Sequence, residues 1–146
     1  MIEKVRRFAL GFLPLMTGYL LNFLILNTVA PILLLNVLFL LLWTYLCYRF
    51  AEPGRNALLQ SLCICAVGFV MLALVLFQEI GMGEYWPNAI GFASQIYFLP
   101  LITLMTIPIA PFMDVITTRA IMIAVQICLF VASCLACRLK TKRNKG

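Results

Sequence analysis

Glu79, Glu84, Asp114 and Arg119 are the charged residues whose types and grouping could do polar chemistry in this chain. Carboxylates beside an arginine can hold a cation or a zwitterion, or serve as an acid–base pair in hydrolysis. The same residues also fit solvated loop charges, with Arg119 paired to Asp114 or Glu79. Gln78, Tyr85, Trp86, Asn88 and Gln95 accompany them, the aromatics suiting a membrane–water boundary. The chain has no histidine, so the commonest general base, proton shuttle and metal ligand is missing. No nucleotide motif or metal-ligand spacing takes its place, and neither a cofactor nor a metal is expected.

Six cysteines (Cys47, Cys63, Cys65, Cys128, Cys134, Cys137) match a small disulfide scaffold in number only. They lie inside apolar runs, where Cys behaves as a small hydrophobe. Cys134-Leu135-Ala136-Cys137 reads as CxxC. In gross architecture a four-helix chain with this motif resembles the vitamin K epoxide reductase-like thiol oxidases, whose cysteine pairs lie near the extracytoplasmic face. Here the pair stands directly before Arg138-Leu139-Lys140, and no cysteine occurs between Ile80 and Thr118. The motif therefore departs from that pattern, and inert thiols are the expectation.

Three amides complete the set of polar candidates. Asn22 and Asn36 flank a turn at Asn27–Pro31 and fall within about 2 Å of the same depth at 1.5 Å rise per residue. A hydrogen bond between them is expected, since an amide facing lipid is costlier than one facing a partner. Gln126 lies near the middle of the last apolar run and is expected to join helices or copies of the chain. Ala120 with Ala124, and Ala132 with Ala136, have the four-residue spacing that lets helices approach closely.

The elements that must position these residues are set by where charge is missing. No Asp, Glu, Lys or Arg occurs from Phe8 to Tyr48, Asn56 to Gln78, Tyr85 to Met113, or Ala120 to Cys137. These runs are 41, 23, 29 and 18 residues long, against about 20 apolar residues for one membrane crossing. Hydrophobic residues make up 64% of 146, too many to leave the polar faces that a water-soluble fold needs. The chain is therefore expected to be an all-α, polytopic membrane protein forming a single transmembrane domain. Its basic start and Thr28-Val29-Ala30 resemble a secretory signal, but the apolar stretch exceeds the 7–15 residues of a signal core, so a retained anchor is expected.

Pro31 and the Ala51–Asn56 loop divide the runs into hydrophobic segments at about 8–27, 31–48, 57–79, 89–112 and 117–137, with a basic tail at 138–146. Asp114 is a candidate cap for the last helix. The fourth segment carries Pro100, Pro108 and Pro111, each of which removes a backbone donor. If that segment dips in and returns, ten Lys and Arg residues lie on one side of the membrane against one on the other. If it spans, the split is six against five. The positive-inside rule selects four full spans, a Pro-broken re-entrant arm, and both termini in the cytoplasm.

By elimination, function reads as a non-catalytic subunit, accessory or regulatory component, with no ion pair buried in its interior. Its partners would be the lipid bilayer and other membrane helices, including copies of itself. The alternatives are a small oligomeric transporter or channel and, behind it, a thiol-redox or lipid-processing membrane enzyme. The basic tail lacks the stacking and base-contacting groups of a nucleic-acid binder, so it reads as a topology signal near anionic lipid. A bacterial cytoplasmic membrane is the expected location.

Overall fold

The computed structural model describes residues 2–27, 31–83, 86–109 and 118–143, and the fold is all-helical, with four helical stretches long and apolar enough to cross a membrane. The first is α1 (Ile2–Leu10) continued by α2 (Leu13–Asn27). Two residues, Gly11 and Phe12, interrupt it. Pro14 sits in the first turn of α2, where its missing N–H costs nothing. The second is α3 (Ile32–Phe50). It ends where Ala51 turns extended, two residues before Pro53. The third is α4 (Ala57–Leu76), capped by the Asn56 side chain and prolonged by a π-helical turn, Phe77–Met82. Between them α5 (Ala89–Ile96) and α6 (Leu99–Ile109) form an arm bent by 49°. The fourth stretch is α7 (Thr118–Arg143).

Side-chain pairs fix the directions of these helices. Cys65 and Gly68 of α4 and Glu79 of its π-helical extension meet Ser133, Gln126 and Arg119 in reverse order along α7, so the two are antiparallel. Arg7 faces Gln60 and Gly11 faces Ile64, so α1 runs parallel to α4. Trp43 reaches Ser133 while Lys140 reaches Arg49, so α3 runs parallel to α7. The start of α1 and the end of α7 therefore share one end of the bundle, called here the basic end. Glu79 and Arg119, 3.8 Å apart, mark the far end. The chain leaves α4 and enters α7 at that same far end, so the intervening segment starts and returns there. A fifth crossing would instead carry Arg119 to the basic end.

One helix boundary differs informatively from the sequence reading. The last helix does not stop at Cys137 but continues through the basic residues to Arg143. Two bonds support that extension: Lys140 Nζ donates to the Arg49 carbonyl at 2.7 Å, and Arg143 donates to the Tyr48 hydroxyl at 3.3 Å. The expected tail is thus helix over 138–143. Neighbour order, which the charge-free runs leave open, is set by the arm, which lies between α2 and α3. Gly18 of α2 meets the backbone of Ile96, and Asn36 of α3 meets that of Pro100. Tyr19 and Phe92 stack edge to face with centroids 5.8 Å apart.

The core includes Trp43, Cys47, Ile64, Cys65, Val75, Tyr97, Phe98, Leu101, Val125, Leu129 and Cys137, all essentially inaccessible. In lipid, apolar burial supplies little drive, because hydrocarbon is as apolar as Leu; close packing and interhelical hydrogen bonds hold such a bundle. Glycine enables that packing at three places: Gly11 against Ile64, Gly18 against Ile96, and Gly68 against Gln126 and Tyr97.

Candidate functional site

Among the described residues the densest polar constellation is at the basic end, and sequence reasoning missed it. Arg7, 2% exposed, donates to Glu52 Oε1 at 2.7 Å and to Gln60 Oε1 at 3.3 Å. Arg55 donates to the other Glu52 oxygen at 2.9 Å. Gln60 accepts from the Glu52 backbone N–H at 2.7 Å and returns its amide protons to the carbonyls of Glu52 and Arg55. One carboxylate, two guanidinium groups and one amide thus lock the loop before α4 onto α1. The expectation of an interior without a buried ion pair is met only in part here: Arg7 is buried, while its partner Glu52 is 28% exposed, so the pair is part-buried at the end of the bundle. The loop allows it because Gly54, at φ +82°, reverses the chain and brings Glu52 back over Gln60. A signal was present in the sequence. Arg7 falls in phase with Gly11, Pro14, Gly18 and Leu21, a stripe that is buried throughout.

From this network a seam of polar groups runs inward between α3, α4 and α7. Ser133 accepts from the Trp43 indole N–H at 3.0 Å and donates to the Leu129 carbonyl at 2.7 Å. The thiols of Cys47 and Cys65 lie 3.4 and 3.6 Å from the same hydroxyl. All six cysteines are free. Among the described residues no group of His, Cys, Asp or Glu is arranged to hold a metal ion. In the CxxC, Cys137 is buried while Cys134 is partly exposed.

Farther along, Gln126 is 2% exposed, and neither atom of its amide has a hydrogen-bond partner among the described residues. It lies over Gly68, where an added methyl would come within 2.7 Å of the Tyr97 hydroxyl and 2.8 Å of Gln126 Nε2. Asn36 is fully buried and donates to the carbonyls of Pro100 and Ile32, each at 3.1 Å. Its interhelical partner is therefore the arm. The expected Asn22–Asn36 bond is not formed: equal depth does not bring the two amides together when another helix stands between them.

At the far end, Glu79 and Arg119 approach within 3.8 Å, as the loop-charge reading allows, and both are partly exposed. Glu84 and Asp114, the other two members of the expected cluster, lie outside the described residues, as does the cap proposed for Asp114. The well-built feature at this end is Gln78, which is inaccessible. It donates to Ser94 Oγ and to the Leu74 carbonyl at 3.1 Å each, and accepts from the Trp86 N–H at 2.9 Å. Asn88 caps α5 through the N–H groups of Ile90 and Gly91. Gln78 thus pins both the approach to the arm and its first helix.

Replacing Gln78 with Met is expected to destabilise the fold by about 1–3 kcal/mol, since the Trp86 N–H and Ser94 hydroxyl lose a partner. Denaturant titration in detergent, followed by circular dichroism, measures the loss. A change under about 0.5 kcal/mol would deny Gln78 this role.

The chain matches no protein-family model, no curated protein and no solved structure.

Proposed function

We propose that the chain is a non-catalytic membrane component that packs against other membrane helices as a subunit or regulator. The observation that carries this reading is how the interior polar groups are used. Gln60, Ser133, Asn36 and Gln78 each bond between elements of the chain itself. What the bundle offers outward is apolar. Met16, Leu20, Phe23 and Leu26 form one exposed stripe on α2, and Leu34, Leu38, Leu41 and Tyr45 form another on α3. The stretches that carry them, Val5–Asn27 and Ile32–Phe50, are 28% and 22% buried over their most apolar parts, against 39% and 44% for Ala57–Met82 and Thr118–Arg143. Under-buried helices are where a partner helix or a second copy would dock.

The positive-inside rule places the basic end in the cytoplasm, with both termini there and the far end outside. A reporter fused after Gly146 is expected to score as cytoplasmic, and an extracytoplasmic score would overturn this orientation. For the packing role, a photo-crosslinking residue at Leu20 or Leu41 is expected to give one discrete protein adduct in native membranes. The same probe at buried Val125 serves as the negative control. Adducts with lipid alone at both stripes would remove the reading. The transporter alternative rests on Gln126, a buried amide without a hydrogen-bond partner among the described residues, and solute flux in liposomes containing only this chain would favour it over the packing role.

A further inference from the structure

A cleft of about 360 Å³ opens at the basic end beside the ion-pair network, bordered by Arg6, Arg49, Lys140, Phe50 and Glu52. Its charges are unbalanced. Both Glu52 oxygens are already engaged, by Arg7 and Arg55. Among the described residues Arg6 and Arg49 have no acidic partner. Lys140 is held in place by the Arg49 carbonyl at 2.7 Å and lies 5.9 Å over the Tyr48 ring. Two guanidinium groups and an ammonium therefore converge where α1, α3 and α7 leave the membrane span.

We infer that this cleft binds the headgroup of an anionic glycerophospholipid. Guanidinium forks match the paired oxygens of a phosphodiester, and an ammonium adds a point charge. Basic pockets between membrane helices near the headgroup layer are suited to anionic lipid. A lipid, rather than free phosphate, is the occupant because the surroundings fit its other half. Phe50, 39% exposed, forms part of the cleft wall, and Leu139 and Leu135, on the membrane side of Lys140 along α7, are 61% and 54% exposed. They offer apolar surface to acyl chains that run from the headgroup toward the bilayer core. This inference does not depend on the packing role proposed above.

The test uses the full chain in mild detergent and native mass spectrometry. The probes are phosphatidylglycerol and phosphatidylcholine with identical acyl chains, with inorganic phosphate as competitor. The wild-type chain is expected to retain phosphatidylglycerol preferentially. Arg6→Gln with Arg49→Gln should weaken that binding about 25-fold, at about fivefold per charge. A charge-matched control, Arg138→Gln with Lys142→Gln, should weaken it less than about threefold, because those residues do not border the cleft. Equal losses in both variants would show diffuse attraction to a basic surface and overturn the site. So would a wild-type chain without preference between the lipids, or inorganic phosphate competing mole for mole. Should the double variant fail to fold, Arg6→Gln alone, on an exposed side chain, is expected to give the fivefold loss, and no loss would overturn the inference.

Discussion

Glu52→Gln is expected to destabilise the bundle by about 3–5 kcal/mol, and Arg7→Met by clearly less, about 1–2 kcal/mol. The asymmetry follows from where each charge sits. Arg7 is 2% exposed, so removing the carboxylate leaves a buried guanidinium without a counter-charge. Removing Arg7 instead leaves Glu52 with Arg55 at 2.9 Å and a side chain 28% open to solvent. The double variant Arg7→Met with Glu52→Gln should be more stable than Glu52→Gln alone, because the uncompensated charge is gone. Such a sign change in a double-mutant cycle is the mark of strong coupling between neighbours. Denaturant titration of the four proteins in one detergent provides the cycle. Equal and small losses in both single variants would reduce the network to an ordinary surface pair.

Gly18→Ala is expected to cost about 3 kcal/mol, near the upper end of overpacking effects. A methyl at this position would overlap the Ile96 carbonyl oxygen and lie 2.8 Å from the Ile96 Cγ2. The first of these neighbours is backbone in a helix, so no rotamer change relieves the clash. Either α2 or the arm must move. The comparison is Gly68→Ala, where the added methyl meets the ends of the Gln126 and Tyr97 side chains, which can rotate away. That variant should cost about 1–2 kcal/mol. The two are compared by thermal unfolding in one detergent, with proteolysis of the arm as a second readout. Gly18→Ala should expose the arm to protease, and Gly68→Ala should not. Equal behaviour would mean that the arm is not seated by the Gly18 contact.

Much of this architecture was legible in the sequence, because charge is expensive in lipid and its absence marks the spans directly. The turns at Ala51–Asn56 and after α4 were equally plain from Pro, Gly and capping residues. Counting residues gives depth along a helix; it does not give rotation about the axis or the order of neighbours. Asn22 and Asn36 show the limit. Their depths agree, yet Asn36 bonds to Pro100 because the arm occupies the space between α2 and α3. Arg7 shows the same limit for rotation. Adjacent Arg6 and Arg7 look alike as topology signals, but only Arg7 shares the phase of Gly11 and Gly18, and only Arg7 is buried. The close approaches fall on Gly11, Gly18 and Gly68, since glycine permits tighter contact than the spaced alanines.

The seat of the arm has a consequence for biogenesis. Its walls, Gly18 and Asn36, belong to helices made early, whereas α5 and α6 come later in translation. About forty residues separate Phe50 from Ala89, on the order of 2–8 seconds of synthesis at 5–20 residues per second. During that interval the nascent α2–α3 hairpin holds a buried-to-be amide and a bare backbone groove facing lipid or the insertion machinery. A ribosome-stalled chain ending before Ala89 should therefore remain a looser hairpin, in which a probe at Asn36 still labels, and lose that labelling once the prolines of α6 have emerged and docked.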